Sequence, residues 1–236
     1  AEEGETYLIF SSGASEGNEM HRLRTLGILD ALQEIYGVDF DQSPEQLAVV
    51  SEPTTVEDGG LKFTIFPGYL ESAENSAAAA RLAASGQYTM ILSTVPVSPI
   101  KDTLDTLDIH CGTIDCFSED NYYGFQKGTL SYVAGKYQSE IGPAFAALYN
   151  AVTGNADAFR ENGRAFRLKQ GFWTAQSSEE YNKMYSLARS ISVNAYNYED
   201  LYSVIKSMTP EADFDELKTL TENFSYEDCK ERRGMN

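Results

Sequence analysis

Basic residues are scarce in this chain: 18 lysines and arginines face 36 aspartates and glutamates, a formal charge of -18 over 236 residues. Such a field repels nucleic-acid phosphates and anionic membrane surfaces, so nucleic acid is not an expected partner. Histidine is scarcer still, with only His21 and His110. No serine–histidine–acid set, nucleophile elbow, phosphate loop or metalloprotease helix occurs, and the Gly68 segment is no elbow because Leu70 holds the nucleophile position. The three cysteines, Cys111, Cys116 and Cys229, are too few and too odd in number for a disulfide scaffold. Either Cys111 pairs with Cys116 or the thiols are free. His110 and Cys111 are strand neighbours whose side chains point to opposite faces, so they do not converge on zinc. No apolar run approaches the roughly 20 residues that cross a bilayer, which argues against direct membrane insertion. The expectation is a non-enzyme with no cofactor and no metal.

What is present suits a packed protein. Hydrophobic residues make up 42% and charged residues 23%, an ordinary globular balance. The start at Ala1, followed by Glu2, Glu3, Gly4 and Glu5, suits a mature polypeptide after removal of a leader, and export is the expectation.

The apolar run 6–10 leads into Ser11, Ser12 and Gly13, after which Leu23, Leu26, Ile28, Leu29, Leu32 and Ile35 recur at helical spacing up to Gly37. This predicts strand, polar turn, helix. Residues 61–66 follow the Gly59–Gly60 turn and read as a strand, 71–85 as an alanine-rich helix, 88–94 as a buried strand and 109–116 as another. Residues 130–134 predict a strand and 139–152 a helix. Beyond these, 165–168 reads as a final strand and 179–189, 199–208 and 213–224 as amphipathic helices. The alternation argues an α/β fold, a doubly wound parallel sheet with a helical C-terminal extension, divided as a lobe over 1–154 and an extension over 155–236. Ligands on such sheets bind at the carboxyl ends of the strands, here residues 11–15, 67–69, 94–98 and 115–123.

Among those ends, the 11–27 segment joins a serine and glycine turn, including Ser12, to a helix carrying His21, Arg22 and Arg24. An arginine there offers a planar fork of donors to an oxygen-rich ligand, and the alternative is a surface helix that needs charge. Asp115 either accepts two hydroxyl hydrogen bonds from a polyol or serves as a turn or cap residue. Trp173, the only tryptophan, either gives a sugar an apolar face or anchors the extension, and Tyr122, Tyr123 and Phe125 carry the same pair of readings.

The run Arg24-Thr-Leu-Gly27-Ile-Leu-Asp30-Ala-Leu32 resembles the start of the second lobe in type I periplasmic sugar-binding proteins. Residues 109–115 are similar to that family's strand ending in a ligand-binding aspartate, and 128–142 to its segment returning through the hinge. The resemblance implies a lobe that closes on a sugar or related metabolite and delivers it to a membrane permease or sensor, in the periplasm or outside the cell, with lipid anchoring through a preceding segment as one form. It further implies that Arg24 and Asp115 face ligand. Lys136 falls where the family has a ligand-touching hinge glutamine, and Gln138 stands near enough to replace it. Ser93-Thr-Val-Pro96 departs from the family, which has an asparagine and aspartate pair there. A chain of this length is either a fragment resembling the second lobe or a compact relative completed by a partner. The alternative functions are a ligand-sensing receptor domain of the same fold and, third, a small hydrolase.

Overall fold

The computed structural model of the chain describes residues 4–136, 141–189 and 195–235, with the backbone alone for residues 115, 116, 136, 188 and 189. Its strands are β1 (Thr6–Ser12), β2 (Thr54–Asp58), β3 (Leu61–Pro67), β4 (Met90–Ser93), β5 (His110–Cys116), β6 (Tyr132–Lys136) and β7 (Trp173–Ala175). They form one mixed, mostly parallel sheet in the order β2-β3-β1-β4-β5-β6-β7. β1 runs parallel to both β3 and β4, β4 parallel to β5, and β2 antiparallel to β3. The helices are α1 (Glu19–Tyr36), α2 (Pro44–Leu47), α3 (Ala73–Ala83), α4 (Lys101–Leu104), α5 (Glu119–Lys127), α6 (Ile141–Val152), α7 (Ser178–Arg189), α8 (Tyr198–Ser203), α9 (Phe214–Glu222) and α10 (Tyr226–Arg232). The chain is therefore an α/β protein.

β1 shows why the central strands read as continuous apolar runs. Tyr7 and Ile9 point to the face covered by α1 and α2, where they pack with Leu29, Leu32, Leu47, Phe63 and Ile65. Leu8 and Phe10, on the alternate face, are equally buried. A strand buried on both faces has no polar alternation to show. α1 begins where the Asn18 side chain accepts the backbone N–H groups of Met20 and His21, and it ends at left-handed Gly37.

The chain divides into two compact units. The first comprises the first 115 residues with Glu119–Val133 and Gln176–Ser178. The second comprises Cys116–Ser118, Ala134–Ala175 and the residues from Glu179 onward. Within the second, Ala146, Phe159, Val204, Ile205, Ala212 and Leu217 form one buried apolar cluster. A separate aromatic group surrounds Trp173, which stacks on Phe224 at 5.4 Å and meets Phe117 edge-on at 5.7 Å.

Several sequence expectations need correction. Residues 165–168 are not a strand: Phe166 and Leu168 pack on the apolar cluster from an irregular segment, and the ladder forms later, at Trp173–Ala175. The helix expected over 199–208 stops at Ser203, because Val204 leaves helical geometry at φ -110 and ψ 12. β2, α5 and α10 were not anticipated. β2 is the outer strand of a hairpin closed by Gly59 and Gly60, and α10 starts from a Ser225 capping box.

Candidate functional site

The strand order fixes where a site belongs. From β1 the chain crosses to β3 on one side, then returns to β4 on the other side of β1. Parallel crossovers are right-handed, so connections leaving in opposite directions place their helices on opposite faces and open a crevice between the carboxyl ends of β1 and β4. That switch point lies wholly in the first unit.

Ser12 ends β1 in an unusual conformation. Its φ is 50, in the left-handed region that residues other than glycine rarely occupy, and the pairing register between β1 and β3 slips between Phe10 and Ser12. The residue is fully buried, yet its hydroxyl oxygen has no hydrogen-bond partner. A buried hydroxyl left unbonded costs about 1–3 kcal/mol, and such an atom in a native fold marks strain, a bound water or a binding contact. Gly13 follows because Tyr69 lies against it: a Cβ at position 13 would sit 2.2 Å from the Tyr69 ring. The Tyr69 hydroxyl in turn accepts from Asn18 Nδ2 at 3.3 Å.

The backbone N–H of Gly13 donates to His21 Nδ1 at 3.2 Å, so the neutral imidazole carries its proton on Nε2. The ring meets Tyr69 edge-on at 5.6 Å. Burial first, and the Arg24 guanidinium second, hold the imidazole below its usual 6.5, against the opposing pull of Glu71. His21 is thus a neutral donor near neutral pH.

Arg24 reaches from α1 to the end of β4, where Nη1 donates to the Thr94 carbonyl at 2.8 Å. The neighbouring carbonyls are also occupied. Phe10 O accepts from both the N–H and hydroxyl of Thr94, and Val95 O accepts from the hydroxyls of Ser93 and Thr113, each at 2.7 Å. Ser12 O accepts from Gly68 N at 2.8 Å. These bonds anchor Arg24 at the end of β4 and leave the Ser12 hydroxyl as the unbonded buried group beside it.

Of the residues singled out in the sequence, Ser12 and Arg24 come to this crevice. Asp115 lies two residues beyond Thr113 on β5, and Ser93 pairs with Thr113, so its backbone belongs to the adjacent strand end. Lys136 ends β6. Gln138 lies outside the described residues. Tyr122 is half-buried on α5, with its ring against Tyr123 at 5.3 Å. Trp173 belongs to the second unit, where its indole is 3% exposed and Nε1 donates to the Phe224 carbonyl at 2.7 Å. That is the anchoring geometry of its two readings. Cys111 and Cys229 are free and buried, so Cys111 does not bridge to Cys116. Burial pushes the Cys111 thiol up to about 12, which leaves it protonated and unreactive.

Sequence reasoning passed over His21, Asn18 and Tyr69 as site residues. The available signal was a histidine three residues after a helix cap, on the turn of the helix facing the strand end. Among the described residues, no group of three or more histidine, cysteine or acidic side chains is placed to hold a metal, and no helix is long and apolar enough to cross a membrane. No protein-family model, curated protein or solved structure matches this chain. The strand order defines an α/β protein whose sheet has its switch point at the carboxyl ends of β1 and β4.

Proposed function

We propose that this chain is a non-enzymatic solute-binding protein that captures a small polar ligand, a sugar or related metabolite, at the switch point of its first unit. The observation that carries the reading is the buried, unpartnered Ser12 hydroxyl beside the crevice to which Arg24 brings its guanidinium. The parallel strands run β3-β1-β4-β5, one of the two common doubly wound orders, whose ligands enter at this crevice. The resemblance of the Arg24 to Leu32 run to type I periplasmic sugar-binding proteins extends the proposal to delivery of the ligand, outside the cytoplasm, to the permease of an ABC-type importer.

Thermal-shift screening of the full chain against sugars, nucleosides and organic acids tests the reading. A ligand at about 100 times its Kd stabilises the native state by about 2.7 kcal/mol and raises the melting temperature. The shift is expected to vanish in Arg24→Ala while the variant's own transition stays cooperative. No shift across such a library contradicts the proposal.

A further inference from the structure

The crevice holds an inventory that discriminates between ligand chemistries. A polyol hydroxyl both donates and accepts, so a sugar site needs acceptors as well as donors. Here the strand-end carbonyls are already engaged by the fold, those of Phe10, Val95 and Gly13 by two donors each. The carbonyls of Phe10, Ser12, Thr94 and Val95 each already accept at least one hydrogen bond, Ser11 O accepts from Ala14 N, and Gly13 O accepts from both Glu16 N and Asn18 N. The donors are of another kind. Ser12 carries a buried hydroxyl with no partner, and the tautomer imposed by the Gly13 amide makes His21 a donor through Nε2. Arg24 adds a full positive charge at the same strand ends in a chain that has few such charges to spend.

Resting on the solute-binding reading above, we propose that the occupant presents an anionic oxygen group, carboxylate or phosphate, to Ser12, Arg24 and His21. Charge-assisted hydrogen bonds to such a group are shorter and about twice as strong as neutral ones. A buried hydroxyl without an acceptor is the complement of a ligand that is all acceptor. Glu71 is the carboxylate whose charge acts on His21, but it is exposed, where solvent and salt screen it. Asp115 supplies the control: the resemblance to sugar-binding proteins implies that a polyol uses an acidic residue at this position, and an oxyanion does not.

Calorimetric titration of the full chain with glucose, glucuronate and a hexose phosphate, with acetate and inorganic phosphate as minimal probes, tests the proposal. One or both charged hexoses are expected to bind at least about tenfold more tightly than glucose, the size of one added charge-assisted hydrogen bond. Whichever charged hexose prevails identifies carboxylate or phosphate. Arg24→Ala is expected to abolish that preference, Arg24→Lys to retain part of it, Ser12→Ala to weaken binding several-fold, and Asp115→Asn to leave it unchanged or tighter. Melting curves of each variant separate loss of binding from loss of fold. Glucose binding as tightly as the charged hexoses, or Asp115→Asn abolishing binding, overturns the anionic ligand. If that glucose binding is lost in Arg24→Ala, the solute-binding reading survives without it. Oxyanion binding indifferent to both Arg24→Ala and Ser12→Ala overturns the site itself, and no binding by any charged probe at about 10 mM, well above the millimolar affinities that calorimetry resolves, overturns the proposal.

Discussion

In the second unit, Trp173 puts its one polar atom on the Phe224 carbonyl and its ring between Phe224 and Phe117, so the side chain is fully accounted for by packing. In the first unit, Ser12 is as buried as Trp173, but its one polar atom bonds to nothing, and its backbone sits where few side chains go. Gln170 Oε1 and Arg232 Nε of the second unit also lack a hydrogen bond, but Gln170 Nε2 donates to Tyr196, and the Arg232 guanidinium donates to the carbonyls of Asn223 and Ala195 with its Nε 3.8 Å from Asp200. Of these three described residues, Ser12 is the one whose whole polar content is unused. Trp173 uses its buried polar atom for packing, and Ser12 leaves its own unbonded at the end of β1, where function is expected to depart from local rules.

Breaking the packing side of the comparison gives the largest effect. Trp173→Ala is expected to destabilise the protein by about 3–5 kcal/mol, through the lost ring contacts and the cavity left among Phe224, Phe117 and Tyr226. Chemical denaturation reads this directly. Trp173→Phe keeps most of the ring and is expected to leave ligand affinity unchanged; a marked loss of affinity with little loss of stability restores the sugar-stacking reading.

Ser12→Ala sharpens the other side, with the opposite sign. Removing a buried hydroxyl that has no partner is expected to raise stability by about 1 kcal/mol while weakening ligand binding. A loss of stability that matches the loss of binding free energy means instead that the hydroxyl is a structural contact.

Acid titration probes the same corner through His21. Its imidazole is held below 6.5 in the fold, so as pH falls the unfolded chain takes up the proton first. Stability is full above about pH 6.5 and declines as pH drops below it toward the lower folded value. Denaturation midpoints followed across that window are expected to show a slope that His21→Gln flattens. The smallest effect belongs to Gly27, where an added Cβ meets nothing within 4 Å inside α1. Gly27→Ala is expected to stabilise by about 0.5–1 kcal/mol through helix propensity, and a loss of ligand binding on that change reveals a need for close backbone approach.

The central strands and α1 and α3 were legible because each is a local pattern: apolar runs bounded by Gly or Pro, and a 3.6-residue apolar period. α5 was not, since Glu119–Lys127 has few apolar residues and carries Gly124, whose bare Cα leaves room for the Leu130 side chain. Residues 165–168 carried enough apolar character for a strand, but the apolar cluster claims Phe166 and Leu168 without any ladder. Of the site, Arg24 and Ser12 were visible as residue types beside a polar turn. The features that give them meaning were not: the left-handed φ of Ser12, its missing partner and the anchoring of Arg24 on Thr94 arise from contacts across up to 70 positions of sequence. His21 was legible only as a polar residue at the helix start, because only the fold brings the Gly13 amide to its Nδ1.

The central claim is that ligand enters the β1–β4 crevice of the first unit. Two-dimensional amide NMR of the full chain, titrated with the tightest ligand of the thermal screen, tests it most directly. The account predicts that the largest shift changes fall on the amides of Ser12, Gly13 and Ala14 and of Thr94 and Val95, with those of Trp173 and Phe224 unmoved. Shift changes centred on Trp173 and Phe224, with Ser12 to Ala14 silent, contradict it.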